Sequence, residues 1–261
     1  MKCYVVLLLC IYQTCKAQQW EAEILAGIAG YNGDLTEHVI SPKSMGPALG
    51  VNLKYNFNDL FLARGGIVWG QVQANDKSNH QPDLRNRNLN FHSDILEANL
   101  CLEINLLEPA FFSAYPYVFM GVGLFHFNPY TYDNTGKKTY LQPLGTEGQG
   151  LAAYPGRKPY SLTQICLPFG GGIKINLDKS FDLEYELAGR SLFTDYLDDV
   201  STTYVNKQSL MSDSRVKTAE LAYRQIHAPF PVEGDVRGNP KIKDWYFITS
   251  LKLLIRLGRR L

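Results

Sequence analysis

The stretch PFGGGIKINLDKSFDLEYELAGRSLFTDYLDD, residues 168–199, decides the fold of this chain. Apolar side chains alternate with small or polar ones along its two arms, which meet at a short turn around Asp178 and Lys179. The apolar set is Leu167, Phe169, Ile173, Ile175 and Leu177 in the first arm, and Phe181, Leu183, Tyr185 and Leu187 in the second. A period of two residues is typical of a β-strand with one apolar face. The stretch therefore predicts an antiparallel hairpin whose apolar face needs a protein core or lipid.

The same alternation recurs along the chain and predicts six further strands. They cover residues 20–31, 47–57, 60–73, 91–106, 115–127 and 244–257. With the hairpin the count is eight, and the connections alternate between long and short from the first to the last. Outer-membrane barrels have short periplasmic turns and long extracellular loops. The pattern predicts an all-β protein, an eight-stranded antiparallel up-and-down transmembrane β-barrel with short periplasmic turns and long extracellular loops.

The N-terminal residues have the composition of an export signal. Lys2 provides a basic start, an apolar run follows from Tyr4 to Tyr12, and Cys15-Lys16-Ala17 matches a small-x-small cleavage site. We expect residues 1–17 to be a signal peptide and residues 18–261 to form the barrel domain. After the leader no stretch approaches the ~20 apolar residues of a membrane-spanning helix. The expected location is the cell outer membrane, with its lipid as a partner.

Positive and negative charges are nearly balanced in this chain, which bears on its binding partners and on the interior of the predicted barrel. The whole chain has 26 Lys and Arg against 25 Asp and Glu, so we expect no nucleic-acid partner. Charged residues also recur on the polar faces of the strands, and charges enclosed in a narrow barrel must be paired. The predicted lumen network comprises Glu23, Lys54, Arg64, Glu97, Glu103, Lys174, Glu184, Glu186, Arg190, Lys252 and Arg256.

Alternation alone does not distinguish a membrane barrel from a secreted soluble barrel, whose strands alternate in the same way. Aromatic residues near strand ends favour the membrane, because aromatic girdles lie at the level of the lipid headgroups. The predicted girdle comprises Trp20, Phe57, Phe61, Trp69 and Trp245. The balanced charges and the one-sided loop lengths favour the same interpretation. An eight-stranded barrel is filled by its own side chains, so we expect no solute conduction.

Candidate chemical sites are few, and each has a simpler structural interpretation. His92 and Ser93 are the nearest approach to a catalytic pair, but adjacent strand residues point to opposite faces, so we predict no catalytic residue. The cluster of Asp195, Asp198 and Asp199 could hold Ca²⁺, although a solvated, arginine-paired rim is favoured. No other metal site and no cofactor is predicted.

Two further features concern the cysteines and the longest loop. Cys101 and Cys166 fit no metal spacing and are expected to be buried free thiols rather than a disulfide. The tyrosine-rich loop around residues 146–148 could form a contact surface or fold over the barrel mouth. A short helix is predicted within residues 212–224.

Several segments resemble a known family. They are NFHSDILEANLCLEINL (90–106), LQPLGTEGQG (141–150), KPYSLTQICLPFGGGIKINL (158–177), RSLFTDYLDDVSTTY (190–204) and RGNPKIKDWYFI (237–248). Together they resemble a family of Bacteroidota outer-membrane barrels that includes PorG of the type IX secretion system. The resemblance implies a barrel linked to a periplasmic ring of PorK and PorN, and it supplies no catalytic residue.

The resemblance makes a non-enzymatic scaffold or anchor of a type IX secretion complex the expected function. Two alternatives remain open. One is a stand-alone outer-membrane barrel whose extracellular loops bind ligands or surface partners. The other, which the absence of a triad disfavours, is a lipid-modifying barrel enzyme.

Overall fold

The computed structural model describes residues 19–38, 41–212 and 216–257. The strands are β1 (Gln19–Asn32), β2 (Met45–Asn56), β3 (Phe61–Asn75), β4 (Asn90–Asn105), β5 (Ala114–Phe127), β6 (Tyr130–Tyr132), β7 (Lys138–Tyr140), β8 (Thr163–Asn176), β9 (Phe181–Leu192) and β10 (Trp245–Arg256). The α-helices are α1 (Pro82–Arg87), α2 (Lys207–Ser212) and α3 (Val216–Ala222). None of the described helices is long and apolar enough to cross a membrane. The predicted signal peptide, residues 1–17, lies outside the described residues.

Eight long strands close into an antiparallel barrel in the order β1, β2, β3, β4, β5, β8, β9, β10. The last strand pairs with the first along its whole length, from Glu21 opposite Arg256 to Asn32 opposite Trp245. Pairing of β3 with β4 completes the ring. The prediction of an eight-stranded up-and-down barrel is confirmed.

The small strands β6 and β7 were not predicted. They form a hairpin that extends beyond the barrel wall, and β6 is joined to β4 by the pair His92 and Tyr130. Each has three residues, too few for an alternation to be recognised in the sequence. The wall strand β8 also begins earlier than predicted, at Thr163. The helix predicted within residues 212–224 corresponds to α3, whereas α2 was not predicted.

Two of the three short turns are stabilised in the same way. The side-chain oxygen of Asn58 accepts hydrogen bonds from the backbone N–H groups of Leu60 and Phe61 at 2.9 and 2.8 Å. Asp178 accepts from Ser180 and Phe181 at 2.6 and 2.8 Å. Asn and Asp favour such turns because their side chains replace a missing backbone acceptor. The third turn, residues 106–113, lies at the same end of the barrel, which by its turn length is the periplasmic end.

The outer surface of the barrel is apolar, which separates the two interpretations left open by the sequence. Leu100 is 61% exposed and Met120 70% exposed, while charged side chains point into the lumen. A soluble barrel would bury these apolar residues in its core, whereas a barrel in lipid exposes them to the acyl chains. The wall therefore faces lipid.

The extracellular edge of this apolar belt can be located from the strand register. On the outer face Trp69 pairs with Leu96, and one step further Gln71 donates a hydrogen bond to Asp94 at 3.1 Å. Along β3 the belt extends from Phe61 to Trp69, which corresponds to a height of ~20 Å for a strand tilted by about 40°. That height is close to the apolar band of known outer-membrane barrels.

The five residues of the predicted aromatic girdle all lie on the outer face, near one edge of the belt or the other. Trp20, Phe57 and Phe61 lie at the periplasmic edge, and the rings of Trp20 and Tyr55 are 4.9 Å apart. Trp69 ends the belt on β3, and Trp245 begins β10 at the extracellular edge. The Trp245 indole donates a hydrogen bond to Asn32 at 2.8 Å.

Candidate functional site

The lumen contains a closed ring of buried charges, here called the central ionic cluster. Its members are Glu23, Lys54, Arg64, Glu103, Lys174, Glu184, Glu186 and Lys252. Four are carboxylates and four are cations, so the cluster is neutral overall. They come from β1, β2, β3, β4, β8, β9 and β10, because inward-pointing positions of all these strands lie at one level of the barrel.

Each cation in the cluster contacts at least two carboxylates. Lys54 Nζ lies 2.7 Å from Glu23 Oε2 and 2.8 Å from Glu184 Oε1. Lys252 Nζ lies 3.1 Å from Glu23 Oε1 and 2.7 Å from Glu186 Oε2. Because every charge has opposite partners on two sides, the cluster offsets the desolvation that an isolated buried ion would suffer.

The remaining connections join the other half of the ring. Arg64 contacts Glu186 at 2.6 Å and Glu103 at 3.4 Å. Lys174 is bonded to Glu103 and lies 3.9 Å from Glu184. The hydroxyl of Tyr117 donates to Glu186 at 2.8 Å, so the ring is also fixed by a neutral donor.

The other three predicted network residues lie outside the ring, in separate groups. Towards the extracellular side Arg190 Nε lies 2.9 Å from Glu97 Oε2, which also accepts from the Tyr246 hydroxyl at 2.5 Å. Towards the periplasm Arg256 contacts Asp182 at 2.6 Å and Glu21 at 4.0 Å. The eleven predicted residues thus form three groups along the barrel axis.

Sequence reasoning missed several neutral members of this network. Tyr117 and Tyr246 lie on strands of mixed apolar character, where a buried tyrosine looks like any other core residue. Asn52 donates to Glu23, and Asn99 donates to Glu97 at 2.7 Å. Their position on the charged face of an alternating strand was the signal that could have identified the two asparagines.

An apolar layer lies above the charges. It consists of lumen residues from six strands together with loop residues that pack onto them: Ala29, Val68, Val72, Phe91, Ile95, Phe125, Phe127, Leu192, Ile248, Leu35, Leu89, Leu197 and Val200. The space between Ala29, Val68, Ile95 and Tyr246 is too small to hold a water molecule. Interiors packed to this density exclude water and ions.

The four long connections fold together above the apolar layer into an extracellular cap, defined here as residues 33–38, 41–44, 76–89, 128–162, 193–212 and 216–244. Glu147 is its centre, fully buried and 2.9 Å from Arg237. The Glu147 carboxylate also accepts from the backbone N–H groups of Ser201 and Thr202 at 2.9 and 3.1 Å. One acidic side chain in the third long loop thereby orders two parts of the fourth.

Two arginines join the remaining loops of the cap. Arg87 forms a two-point contact with Asp76 at 2.7 and 2.8 Å, and donates to the carbonyls of Asp34 and Arg237 at 2.8 and 2.7 Å. Arg157 donates to the carbonyl of Glu147 in its own loop at 2.7 Å and to that of Thr203 in the fourth long loop at 2.8 Å. Such planar, multidentate contacts are geometrically specific, so the cap is a defined structure rather than a set of independent loops.

The aspartates at the end of β9 correct the prediction of a solvated, arginine-paired rim. Asp195, Asp198 and Asp199 are 3%, 1% and 1% exposed, because the cap covers them. Only Asp199 has an arginine partner among the described residues, Arg237 at 3.8 Å. Tyr31 donates to Asp198 at 2.5 Å, and neither oxygen of Asp195 has a close donor in the described ranges.

Burial changes the proton affinity of these groups. It raises the pKa of Asp195 to about 7 and that of Asp199 to about 6, the latter partly offset by Arg237. It also raises the pKa of Asp198 and of Asp244 well above the usual range. The desolvated carboxylate is the less stable form in each case.

The tyrosine-rich loop folds over the barrel mouth, one of the two arrangements expected for it. Thr146 is buried and donates to Asp199 at 2.5 Å. The ring of Tyr160 is stacked between Tyr196 at 4.6 Å and Phe127 at 6.1 Å. The loop is thus part of the roof of the lumen.

The remaining candidate residues lie in strands of the barrel wall. The imidazole of His92 faces outward and stacks on Tyr130 at 5.4 Å, whereas Ser93 is buried and its hydroxyl accepts from Asn128 N–H at 3.2 Å. The two side chains are therefore on opposite faces. Cys101 and Cys166 are buried free thiols, as expected.

A closed barrel with an apolar exterior and a charged, filled interior defines a transmembrane β-barrel of the outer-membrane type. The protein is an outer-membrane protein. By sequence the chain belongs to the DUF6089 family, described as a domain of unknown function, whose model matches residues 1–213. No curated protein matches the sequence.

Three solved structures of similar fold have low sequence identity to this chain. Neisserial surface protein A matches with a TM-score of 0.45 and 10% identity, over 91% of this chain and 97% of that one. Ail of Yersinia pestis matches with a TM-score of 0.43 and 9% identity, over 92% and 99%. OprG from Pseudomonas aeruginosa matches with a TM-score of 0.41 and 11% identity, over 91% and 97%. The fold assignment rests on the strand pairing and the burial pattern of this chain.

Proposed function

We propose that the protein is a non-conducting, non-enzymatic anchor of an envelope complex like that of type IX secretion. The observation that carries this proposal is the filling of the lumen by the three ionic groups and the apolar layer, with the extracellular cap above them. A barrel filled in this way still presents an extracellular and a periplasmic surface at a fixed position in the membrane. Its role is then to hold other proteins in place.

The lumen layers argue against transport of solutes. A passing ion would have to separate charges that each contact two partners, at a cost of several kcal/mol per broken pair. It would then enter the apolar layer, where nothing replaces its hydration shell. The purified protein should accordingly give no conductance steps in planar bilayers, and stable open-channel steps would contradict the proposal.

The same arrangement supports a role without catalysis. A hydrolase needs a nucleophile and a base within hydrogen-bond reach, and His92 and Ser93 lie on opposite faces of the wall. The carboxylates of the central ionic cluster are fully engaged with cations. Measuring lipid deacylation with purified protein in lipid vesicles tests this part, and turnover would refute it.

Partner contact at the periplasmic end is supported by the third short turn. Phe111 is 77% exposed and Phe112 46% exposed at the tip of residues 106–113. Aromatic side chains, including phenylalanine, are enriched at protein interfaces relative to the rest of the surface. The family resemblance suggests the partner, a periplasmic ring like that of the PorK lipoprotein and PorN.

A pair of photo-crosslinking variants tests the direction of contact. Phe111 and Val236 are both 77% exposed, but they lie at opposite ends of the molecule. A benzophenone amino acid at Phe111 should capture a periplasmic ring protein in intact cells, and the same group at Val236 should not. Mass spectrometry of the adducts identifies the partner. Absence of any ring protein from the Phe111 adducts would remove the secretion role.

A second function is favoured by a cleft in the cap. Its volume is about 480 Å³, and Arg87, Tyr204, Phe230 and Arg237 are among the side chains that line it. Clefts of this size with a few convergent polar groups are typical of ligand sites. A stand-alone barrel that binds a surface ligand would place its contacts here. Adducts at Val236 without adducts at Phe111 would select this function over the anchor.

A further inference from the structure

Three potential metal ligands from two extracellular loops converge on the outer side of the cap. Glu37 and His38 belong to the loop between β1 and β2, and His80 belongs to the loop between β3 and β4. One donor atom from each of the three side chains lies within 4.8 Å of the other two. The two loops are distant in sequence, so their convergence is a product of the fold.

The carboxylate of this group is held in place without a metal. Glu37 accepts hydrogen bonds from the backbone N–H groups of His80 and Gln81 at 2.8 and 2.6 Å. These two bonds position the carboxylate and still leave a lone pair on Oε1 for an ion.

A second contact fixes the spacing of the loops. The side chain of Asn79 donates to the carbonyl of Leu35 at 3.1 Å, and Leu35 is buried in the apolar layer at 1% exposure. The ligands thus project from a backbone that is already anchored to the barrel. Preorganised ligands lose less conformational entropy when an ion binds.

The two imidazoles are accessible from the medium. The His80 side chain is 89% exposed, and that of Glu37 is 9% exposed. His38 is also exposed, and its ring centroid lies 6.4 Å from that of His80. Ligands around a tetrahedral zinc ion are ~3.3 Å apart, so small rotations of the exposed rings close the remaining gap.

The ligand set selects the ion. Two imidazoles and one carboxylate suit Zn²⁺, which takes three protein ligands and a water molecule in open sites. Ca²⁺ and Mg²⁺ prefer all-oxygen coordination and would gain little from imidazole. We propose that Glu37, His38 and His80 bind one Zn²⁺ ion from the medium, and that the ion cross-links the first two extracellular loops.

The test is a calorimetric titration of zinc into the full-length mature protein in detergent, without a polyhistidine tag. The expected stoichiometry is one ion per chain, unaffected by an excess of Ca²⁺. The double variant His38→Ala/His80→Ala should bind at least tenfold more weakly. His227→Ala is the matched control, because His227 is an exposed histidine in a different loop, and its affinity should equal that of the unchanged protein.

A second measurement separates this site from non-specific binding. Zinc should slow proteolysis within residues 33–44 in the unchanged protein and in His227→Ala, but not in the double variant. Heat-modifiable gel migration confirms that each variant is folded. Equal zinc affinity in the double variant, or no binding at 100-fold molar excess of zinc, would overturn the proposal.

Discussion

Replacing Arg190 with methionine tests whether the buried charges stabilise the barrel as pairs. The side chains of Arg190 and Glu97 are 4% and 1% exposed, and no other cation forms a salt bridge with Glu97 among the described residues. Removing one partner of a buried ion pair costs ~3–5 kcal/mol, because the other charge is left desolvated. Glu97 keeps its hydrogen bonds from Tyr246 and Asn99, so we expect the lower end, about 3 kcal/mol.

A double variant tests whether the loss comes from the stranded charge. Adding Glu97→Gln to Arg190→Met removes that charge and should restore about 2 of the 3 kcal/mol. Arg256→Met is the control for the same chemical change. The Arg256 side chain is 26% exposed, so water partly replaces it and the loss should be about half as large.

Urea unfolding from lipid vesicles provides the measurement. The three tryptophans of the chain, Trp20, Trp69 and Trp245, all lie on the lipid-facing side, so their fluorescence reports departure from the bilayer. A loss below ~1 kcal/mol for Arg190→Met would refute the reasoning. So would a double variant no more stable than the single one.

Three further outcomes follow from the structure. Leu100→Arg, at the middle of the apolar belt, should lower the free energy of unfolding by ~2–4 kcal/mol, and Gln71→Arg, beyond its edge, by less than ~1 kcal/mol, in the same assay. The pKa of Asp195, which burial raises to about 7, exceeds the ~3.9 of an unfolded aspartate, so its contribution to cap stability is complete below pH 4 and is lost as the pH rises through 7. Asp195→Asn should therefore reduce the difference in protease resistance of the cap between pH 5 and pH 8, and no change would contradict this. Glu147→Gln should make the cap more susceptible to trypsin on intact cells, while the heat-modifiable migration of the barrel is unchanged. An unchanged digest would contradict the central role of Glu147 in the cap.

The barrel wall was largely predictable from the sequence because each strand has one lipid face. Residues such as Leu100 and Leu102 must be apolar and Glu97 and Glu103 must be inward, so the alternation is visible without any contact map. Strand β5 was the least distinct, since Tyr117 and Phe119 are aromatic on the lumen side. Aromatic side chains pack in a filled lumen as well as they do against lipid, so the two faces of β5 do not differ in polarity.

The cap could not be predicted in the same way. Glu147 and Arg237 are 90 residues apart, and Arg87 and Arg237 are 150 apart. Contacts between irregular loops leave no periodic trace in a single sequence. For the same reason the aspartates after β9 were expected in solvent, although the extracellular cap covers them.

The central ionic cluster also has a consequence for how the barrel assembles. Lys252 on β10 contacts Glu23 on β1, across the seam where the first and last strands meet. A slip of one residue at any strand would turn that strand's charges towards lipid, because side chains alternate between the two faces. All ion pairs of the cluster can therefore form only when every contributing strand is in its native register and β1 is paired with β10.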